Sequence, residues 1–334
     1  MTPRANKGGS PRLPELPKGI YVRRPRQEDG PEIAALMNAV DLADTGVAEN
    51  TVEEVYETWA LPRFQKERDA WIVLEGTGKV VGYAFAWDRK PHTEIQADSY
   101  VAPALAASGL EEALLDRIEE RAREHRAAAP KSEEVLIRGF TSPTGKERIA
   151  AFLSRGYAHV RTFCRMTIDL GAPDTIPAAR WPAGIEPRGY VRGRDERAFD
   201  RAIQESFADH FGFVLEPHEE WIARRVDQSG FDAGLWTLAM EGKEPAGAIL
   251  AYAPEGEGWV RELGVRPAWR GRGLGRALLL HTFALFARRG IKRVGLGVDM
   301  ANATGATQLY ESVGMRVAFR HDLYEKRLGP GLAS

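Results

Sequence analysis

Residues 258–276 combine residue types that can hold a phosphate group. A strand-like run stops at Pro267, and the turn Arg270-Gly271-Arg272-Gly273-Leu274-Gly275 leads into the apolar periodicity of a helix from Ala277. Such a turn directs several unpaired N–H groups to one point, where the helix dipole adds positive potential. Glycines allow close approach of the backbone, and arginines neutralise negative charge. The segment therefore predicts a pyrophosphate-binding turn between a strand and a helix.

Two other phosphate-binding loops do not fit this spacing. A dinucleotide-binding fingerprint needs its third glycine at the position of Arg276, whereas the third glycine here is Gly275. A P-loop ends in Lys followed by Ser or Thr, and the turn has neither pair. The spacing therefore indicates a pyrophosphate site of a different class.

The elements that must position this turn can be predicted from periodicity. The half of the chain that contains the turn is expected to have its first helix over 196–208, with Phe199, Ile203 and Phe207 on one face. The other elements expected in this half are strands at 185–190, 235–240, 246–253 and 294–298, helices near 217–227 and over 302–313, and closing strands within 319–326.

The composition is that of a protein with two ordinary domains. A chain of 334 residues accommodates two domains of roughly 150 residues each, and 43% hydrophobic residues support full cores. The net charge of −1 argues against nucleic-acid binding. The single cysteine, Cys164, fits a reducing compartment, and no apolar run reaches the length of a membrane span. We expect a cytoplasmic protein without a nucleic-acid or membrane partner.

The chain contains an internal duplication. Residues 101–115 align without a gap on 265–279, and residues 144–157 parallel 302–315. A Pro-, Gly- and Ala-rich segment separates the copies. The predicted organisation is a disordered lead over 1–18, an N-terminal domain over 19–169, a linker over 170–184 and a C-terminal domain over 185–328.

The two copies differ where a phosphate would bind. The first copy has Ala-Ala-Ser in place of Arg270-Gly271-Arg272, and Glu111 and Glu112 replace Gly275 and Arg276. Two carboxylates at an anion site repel a pyrophosphate. We therefore expect the ligand to bind in the second copy.

These residues also resemble a known family. Val265, Pro267 and the turn Arg270–Gly275 are similar to the acyl-CoA signature R/Q-x-x-G-x-G/A of the GCN5-related N-acetyltransferases (GNATs). The stretch Asn302…Ala306…Leu309-Tyr310-Glu311…Gly314-Met315 resembles the family's N-x-x-A…LYE-x-x-GF. The resemblance covers nearly all residues from 20 to 328, firmly in the second copy and weakly in the first. It implies an α/β fold (α+β mixed sheet) of two tandem GNAT units, each a central, mostly antiparallel mixed sheet flanked by helices.

The resemblance implies acetyl-CoA as co-substrate and no metal. In the family the pantetheine lies between two splayed strands, the turn amides hold the pyrophosphate, and an arginine reaches the 3′-phosphate. Asn302 would contact the coenzyme or cap the last helix. The positions implied for the coenzyme are Leu263, Gly264, Val265, Arg270, Gly271, Arg272, Gly273, Leu274, Gly275, Arg276 and Asn302.

Several residues of the second copy are candidates for catalysis. Tyr310 is the expected general acid, because a phenol stays protonated at neutral pH and can protonate a departing thiolate. Phe152 replaces it in the first copy, and a core tyrosine is the alternative role. Glu262 is a candidate base near where some relatives have a carboxylate, and a solvated or ion-paired surface residue is the alternative role. Glu257 is a further carboxylate upstream, at the expected hairpin turn, and Trp259, which cannot act as a base, occupies the family's usual glutamate position. Proton loss through water, or an acceptor with a low amine pKa, remains open.

The loop after the first helix of the second copy is the expected acceptor site. Asp209 could hold a cationic amine and His210 could relay a proton, or either could be structural. The resemblance implies an N-acetyltransferase that transfers an acetyl group from acetyl-CoA to a primary amine of a small molecule by direct attack in a ternary complex. Alternatives are a non-catalytic acyl-CoA sensor or scaffold, and a protein or peptide N-acetyltransferase. The expected assembly is a monomer or homodimer.

Overall fold

The computed structural model of the chain describes residues 19–48, 50–228, 230–253, 256–301 and 305–333. The predicted lead over 1–18 lies outside these residues. The α-helices described are α1 (Gly30–Thr45), α2 (Val52–Trp59), α3 (Lys66–Asp69), α4 (Leu110–Ala128), α5 (Lys146–Ser154), α6 (Glu196–Phe207), α7 (His218–Arg225), α8 (Leu274–Arg288) and α9 (Ala306–Ser312). The strands described are β1 (Ile20–Arg23), β2 (Ala70–Glu75), β3 (Val80–Lys90), β4 (Glu94–Val101), β5 (Glu134–Thr141), β6 (Ala158–Asp169), β7 (Ile185–Gly189), β8 (Thr237–Glu241), β9 (Glu244–Tyr252), β10 (Gly258–Val265), β11 (Arg293–Asp299) and β12 (Arg316–Pro330).

The chain forms two compact units whose limits differ from the predicted domains. The first unit runs to Arg161 and also contains the chain from His321 onwards, and the second is Thr162–Arg320. The sequence predicts domains over 19–169 and 185–328 with a linker over 170–184. The difference arises because the last strand of each copy ends in the other unit. The end of β6 belongs to the second unit, and the end of β12 belongs to the first.

The strand pairing shows this exchange. In the first unit the end of β12, from Asp322, pairs antiparallel with β5. In the second unit the end of β6, from Phe163 to Asp169, pairs antiparallel with β11. The segment predicted as a linker belongs to the second unit, where Ile176 and Trp181 pack against its core. The internal duplication therefore does not mark the boundary between the units.

The first unit has helices on both faces of its sheet. The strand order is β1-β2-β3-β4-β5-β12, and only β4 and β5 pair in parallel. Trp71 and Val73 of β2 belong to a core cluster with α4, whereas Ile72 and Leu74 belong to a cluster with α1. Since successive strand residues point to opposite faces, α4 and α1 cover opposite sides of the sheet.

The second unit repeats this plan around a larger core. Its strand order is β6-β11-β10-β9-β8-β7, with β10 and β11 as the parallel pair. Helices α6 and α8 both pack on β9 and β10. Phe199 and Ile203 of α6 are buried, as their helical spacing predicts. This core fixes the end of β10 and the start of α8 relative to each other.

Among the described residues, no helix is both long enough and apolar enough to cross a membrane.

Candidate active site

The two central strands of the second unit separate at the end that leads into the glycine-rich turn. The parallel pairing of β10 with β11 covers Gly258–Val260, and its last pair lies opposite Leu296. Beyond that point β10 stays paired with β9 as far as Val265, and β11 stays paired with β6 as far as Asp299. An extended ligand can lie in such a gap and bond to the strand edge as an added strand does.

A β-bulge marks the start of the separation. The register of β10 against β9 shifts between Val260 and Glu262, which leaves Arg261 as an extra residue. A bulge bends its strand and increases the local twist. A Cβ on Gly264 would lie 2.7 Å from Cβ of Ser206, so the glycine lets α6 pack directly on the bent strand. The predicted pantetheine positions lie on this part of β10: Leu263, Gly264 and Val265.

The turn before α8 presents a series of backbone amides without acceptors. Gly271 and Gly273 have left-handed φ angles of 73° and 81°, which suit glycine. Within the described ranges, none of the six backbone N–H groups from Gly271 to Arg276 donates a hydrogen bond. Ala277 N is the first to bond, to Gly273 O at 3.1 Å. The start of α8 therefore carries the donors and the positive potential that bind a phosphate.

Leu274 and Gly275 fix the position of this helix start. Leu274 is buried in the core of the unit. A Cβ on Gly275 would lie 2.9 Å from Cδ2 of Leu309 and 3.7 Å from Cγ2 of Val265. The absence of a side chain at Gly275 lets the first turn of α8 lie close to both α9 and β10.

Arg270 has protein partners on every side of its guanidinium. Nη1 donates to Oδ2 of Asp209 at 2.7 Å, Nη2 donates to Ser206 O at 2.8 Å, and Nε donates to Val265 O at 3.1 Å. The residue therefore ties the turn to the end of α6 and to β10. Arg270 is one of the positions that the family resemblance implies for the coenzyme, but its donors are committed to these three acceptors.

Arg272 and Arg276 are better placed for an anionic ligand. Arg272 is half-exposed, and its side-chain contacts among the described residues are a long one of 3.6 Å to Glu241 and a bond to Ala268 O. Arg276 is exposed and has neither an ion pair nor a side-chain hydrogen bond within the described part of the chain. Their charge is available beside the free amides.

The carboxylate of Glu262 forms an ion pair with Arg225. Arg225 donates to both carboxylate oxygens of Glu262, with Nη2 at 2.8 Å and Nε at 3.0 Å. A third bond, 2.7 Å long, joins Arg225 Nη1 to Glu216, and the Arg225 guanidinium lies 5.2 Å from the ring of Trp221. Although burial opposes its charge, the hydrogen bonds to Glu262 and Glu216 raise the pKa of Arg225. Glu262 therefore anchors α7 to β10.

Glu257 and Trp259 lie on the paired part of β10 or just before it. The guanidinium of Arg165 lies 4.7 Å from the centre of the Trp259 ring, and its Nη2 is 3.9 Å from Glu257. Trp259 also covers Gly295 on β11, where an added Cβ would come within 2.8 Å of the ring. Trp259 therefore packs across the closed part of the strand pair.

Tyr310 is buried on α9. Its hydroxyl forms no hydrogen bond with any residue that the structure describes. Burial and the nearby Cys164 raise the pKa of Tyr310 to about 12. The phenol therefore keeps its proton through the neutral range and well above it, which a general acid requires.

The two predicted acceptor residues have different environments. Asp209 accepts from Arg270 at 2.7 and 3.1 Å, and this bond lowers the pKa of Asp209. His210 packs edge-on against Phe207 at 4.5 Å between ring centres. Burial lowers the pKa of His210, against the opposing charges of Asp209 and Asp299. His210 is therefore the uncharged, half-buried member of the pair. Asn302 lies outside the described residues.

The corresponding gap in the first unit contains an arginine. The parallel pairing of β4 with β5 covers Glu94–Ala97 on the β4 side. Beyond it, Arg148 donates through Nη1 to Ser99 O at 2.5 Å and through Nη2 to Asp98, and its Nε lies 3.5 Å from Glu111. This side chain takes up the strand-edge carbonyl that a ligand would need.

The groups around Arg148 are compensated internally. Although burial opposes its charge, Asp98 and Glu111 raise the pKa of Arg148. Burial also raises the pKa of Glu111, which accepts a 2.5 Å hydrogen bond from Ser99 Oγ. In the alignment Glu111 corresponds to Gly275. The first unit thus closes its gap with its own side chains.

Sequence reasoning missed three of these residues. Arg225 and Glu216 hold Glu262 through contacts between α7, its preceding loop and β10, and no spacing in the chain indicates them. Arg148 could have been found, because the internal alignment places it opposite Ala306. An arginine aligned with an alanine, at a position expected to lie near a ligand, is a difference that the sequence alone shows.

Comparison with known proteins agrees with this geometry. The Acetyltransferase (GNAT) family matches residues 199–315. A mycothiol acetyltransferase of Geodermatophilus obscurus is 30% identical over 255 residues, which cover 73% of this chain and 77% of that protein. A mycothiol acetyltransferase of Salinispora tropica is 30% identical over 331 residues, which cover 92% and 98%.

Two solved structures share the fold over almost the whole chain. A GCN5-related N-acetyltransferase from Sphaerobacter thermophilus matches with a TM-score of 0.84 and 32% identity, covering 96% of this chain and 99% of that one. A tandem GNAT protein from the clavulanic acid biosynthesis pathway matches with a TM-score of 0.69 and 16% identity, covering 93% and 99%. The second likeness concerns the fold alone.

The split strands, the amide-lined turn and these relatives together define an acetyltransferase. The chain belongs to the GNAT family of acetyltransferases. The predicted α/β fold of two tandem GNAT units, each with a mixed sheet flanked by helices, is confirmed.

Proposed function

We propose that the second unit transfers an acetyl group from acetyl-CoA to a primary amine of a small molecule. The observation that supports it most is the run of free amides from Gly271 to Arg276 at the start of α8, beside the gap between β10 and β11. A diphosphate placed on these amides leaves the attached pantetheine chain to follow the gap. The bent strand then offers its backbone at Leu263–Val265 to the pantetheine amides.

The chemistry follows from what these groups can supply. The amine nitrogen attacks the acetyl carbonyl carbon, the carbon–sulfur bond breaks, and the sulfur leaves as a thiolate that needs a proton. Tyr310 is assigned as the donor, because its phenol is protonated and has no competing protein acceptor among the described residues. The proton lost by the amine passes to water or to a base, for which Glu262 remains a candidate.

The acceptor is assigned to the side of the gap formed by the loop after α6. This loop contains the half-buried His210, whose imidazole is unprotonated at neutral pH because burial lowers its pKa. A neutral imidazole can accept a proton from an attacking amine directly or through water. Since the two relatives compared above are named mycothiol acetyltransferases, the first acceptors to test are small-molecule amines related to mycothiol.

A charge test on the turn examines the coenzyme assignment. Gly271 has a φ of 73°, and a Cβ added there meets nothing within 4 Å. Asn and Asp both tolerate this backbone region, so Gly271→Asn and Gly271→Asp differ only in charge. We expect the Asp variant to bind acetyl-CoA at least about tenfold more weakly than the Asn variant in calorimetry, because a carboxylate faces the diphosphate. Equal affinities of the two variants for acetyl-CoA would show that the diphosphate does not bind at this turn.

Turnover tests the acceptor assignment and separates the alternatives. Thiol release from acetyl-CoA is followed with a panel of small amines and with peptides that carry a free amine. We expect thiol release with at least one small amine. We also expect the affinity for acetyl-CoA to differ between Gly271→Asn and Gly271→Asp as described above. Coenzyme binding without turnover on any acceptor supports the non-catalytic sensor, and turnover confined to peptides supports a peptide acetyltransferase.

A further inference from the structure

A cluster of three possible metal ligands lies in the first unit, apart from the residues considered so far. Asp88 lies near the end of β3, His92 lies in the turn before β4, and His125 lies in the last turn of α4. Asp88 and His125 are buried, at 2% and 5% exposure, whereas the side chain of His92 is 44% exposed. Two of the three side chains are therefore buried, and the cluster is open to solvent beside His92.

We propose that Asp88, His92 and His125 bind one divalent transition-metal ion, with Zn²⁺ as the preferred ion. The three atoms involved are Oδ2 of Asp88 and the Nδ1 atoms of the two histidines. The Nδ1 atoms lie 2.9 Å apart, and Oδ2 lies 3.7 Å from His92 Nδ1 and 3.9 Å from His125 Nδ1.

These distances leave space for one ion and no more. The circle through the corners of a triangle with sides of 2.9, 3.7 and 3.9 Å has a radius of about 2.1 Å, so one point lies that far from all three atoms. Zinc bonds to histidine nitrogen measure about 2.0–2.1 Å, and those to carboxylate oxygen about 2.0–2.2 Å. The ligand set of two imidazoles and one carboxylate also matches what zinc prefers.

The environment of the Asp88 carboxylate independently favours a bound cation. Its Oδ1 accepts a hydrogen bond from the backbone N–H of His92 at 2.7 Å. Among the described residues its Oδ2 accepts no hydrogen bond and its carboxylate has no Lys or Arg partner, since Arg63 donates only to the backbone carbonyl of Asp88. The neighbouring Arg121 is committed to Asp69 and Glu124. A buried carboxylate without a cation is costly, and a divalent ion between Asp88 and the imidazoles removes that cost.

The backbone of His92 is held in an unusual conformation that suits a ligand. Its φ of 58° is in the left-handed region, which residues other than glycine rarely adopt. The bond from His92 N to Asp88 holds this turn, and it directs Nδ1 of His92 toward Nδ1 of His125. Local strain of this kind is concentrated at binding sites. The open side at His92 leaves a fourth position for water, as in sites with three protein ligands.

The test uses the full chain, stripped of metal with a chelator and titrated with Co²⁺ and with Zn²⁺. We expect one equivalent of Co²⁺ to give the intense visible absorption of a four-coordinate ion, and Zn²⁺ to displace it and raise Tm. Asp88→Asn keeps the shape of the side chain, and we expect it to lower the affinity for either ion at least tenfold. His92→Asn, which tolerates the left-handed backbone, is the second variant in case the buried substitution impairs folding.

His159→Gln is the matched control, because His159 is a half-exposed histidine of the same unit outside the cluster. Its affinity for both ions should equal that of the unchanged chain. If the unchanged chain gives no Co²⁺ spectrum and no rise in Tm, the two histidines form only a hydrogen-bonded pair and the proposal fails. It also fails if Asp88→Asn and His92→Asn both bind the ions as tightly as the unchanged chain.

Discussion

The two units start their long helices in the same way and differ in what lies beside them. Gly109 before α4 and Gly273 before α8 both have φ of 81° and ψ of 5°. In both units the parallel strand pair ends before this helix start. The backbone frame of the proposed coenzyme site is therefore present twice.

The side chains next to this frame are opposite in kind. In the first unit Arg148 occupies the gap and bonds to Ser99 O, whereas the aligned residue of the second unit is Ala306. The first unit has the buried Glu111 in the first turn of its helix, and the second has Gly275. The comparison teaches that a binding gap can be closed by the protein's own charges while the fold around it stays intact.

The largest expected effect comes from copying this closure into the second unit. In Ala306→Arg, a guanidinium enters the gap near Glu262 and Gly275, as Arg148 does near Asp98 and Glu111. We expect acetyl-CoA affinity to fall at least about a hundredfold in calorimetry, because the coenzyme must displace a buried ion pair. The control is Gln308→Arg, which adds the same charge on the exposed face of the same helix. Full affinity in Ala306→Arg would mean that the two gaps are not equivalent.

Local patterns in the sequence predicted the parts of the fold that depend on neighbouring residues. The strand, turn and helix around Arg270 occur where expected, because glycines and an apolar period act within a few residues. The helix predicted over 196–208 is α6, Glu196–Phe207. Family resemblance added the tandem arrangement, which the related structures confirm.

The features that escaped prediction depend on contacts between distant residues. The exchange of strand ends is one, since β12 carries the same pattern whichever strand it pairs with. The partners of Arg270 and Glu262 are others, because Asp209 and Arg225 are separated from them by 61 and 37 positions. A sequence shows which side chains carry charge, but the choice among possible partners is made by packing.

Opening the first gap should reduce stability without affecting the coenzyme. Arg148→Ala leaves the carboxylates of Asp98 and Glu111 without their cation, and breaking a buried pair of this kind costs about 3 kcal/mol of unfolding free energy. Urea unfolding followed by circular dichroism measures the loss. In Arg327→Ala, an exposed arginine of the same unit loses its pair with Glu134, which should cost less than about 1 kcal/mol. Equal losses in the two variants, or weakened acetyl-CoA binding in Arg148→Ala, would contradict the assignment.

The difference between Tyr310 and Phe152 tests the chemistry of the two units. Tyr310→Phe introduces the residue of the first unit, and we expect kcat to fall about a hundredfold while the Kd for acetyl-CoA changes little. Because the pKa of Tyr310 is raised to about 12, kcat of the unchanged enzyme should show no decline from phenol ionisation below about pH 11. Tyr190→Phe, a buried tyrosine of the same unit that bonds to Glu196, is the control and should keep full kcat. An unchanged kcat in Tyr310→Phe at every pH would remove the residue from the mechanism.

The smallest expected effect distinguishes a structural from an acceptor-binding role for Asp209. Asp209→Asn removes a largely exposed ion pair, so the unfolding free energy at neutral pH should fall by less than about 1 kcal/mol. Because the bond to Arg270 lowers the pKa of Asp209, this contribution is present above the pKa of the unfolded carboxyl and is lost as the pH falls through the folded one. The difference between the two proteins in urea unfolding should therefore shrink at acid pH. Arg270 keeps its bonds to Ser206 O and Val265 O, so the Kd for acetyl-CoA should stay within about threefold.

The opposite outcome would assign Asp209 to the acceptor. If Asp209 holds the amine, the KM for the acceptor rises at least tenfold in Asp209→Asn with no change in stability. The loop after α6 then contacts the acceptor through the carboxylate of Asp209 rather than through His210.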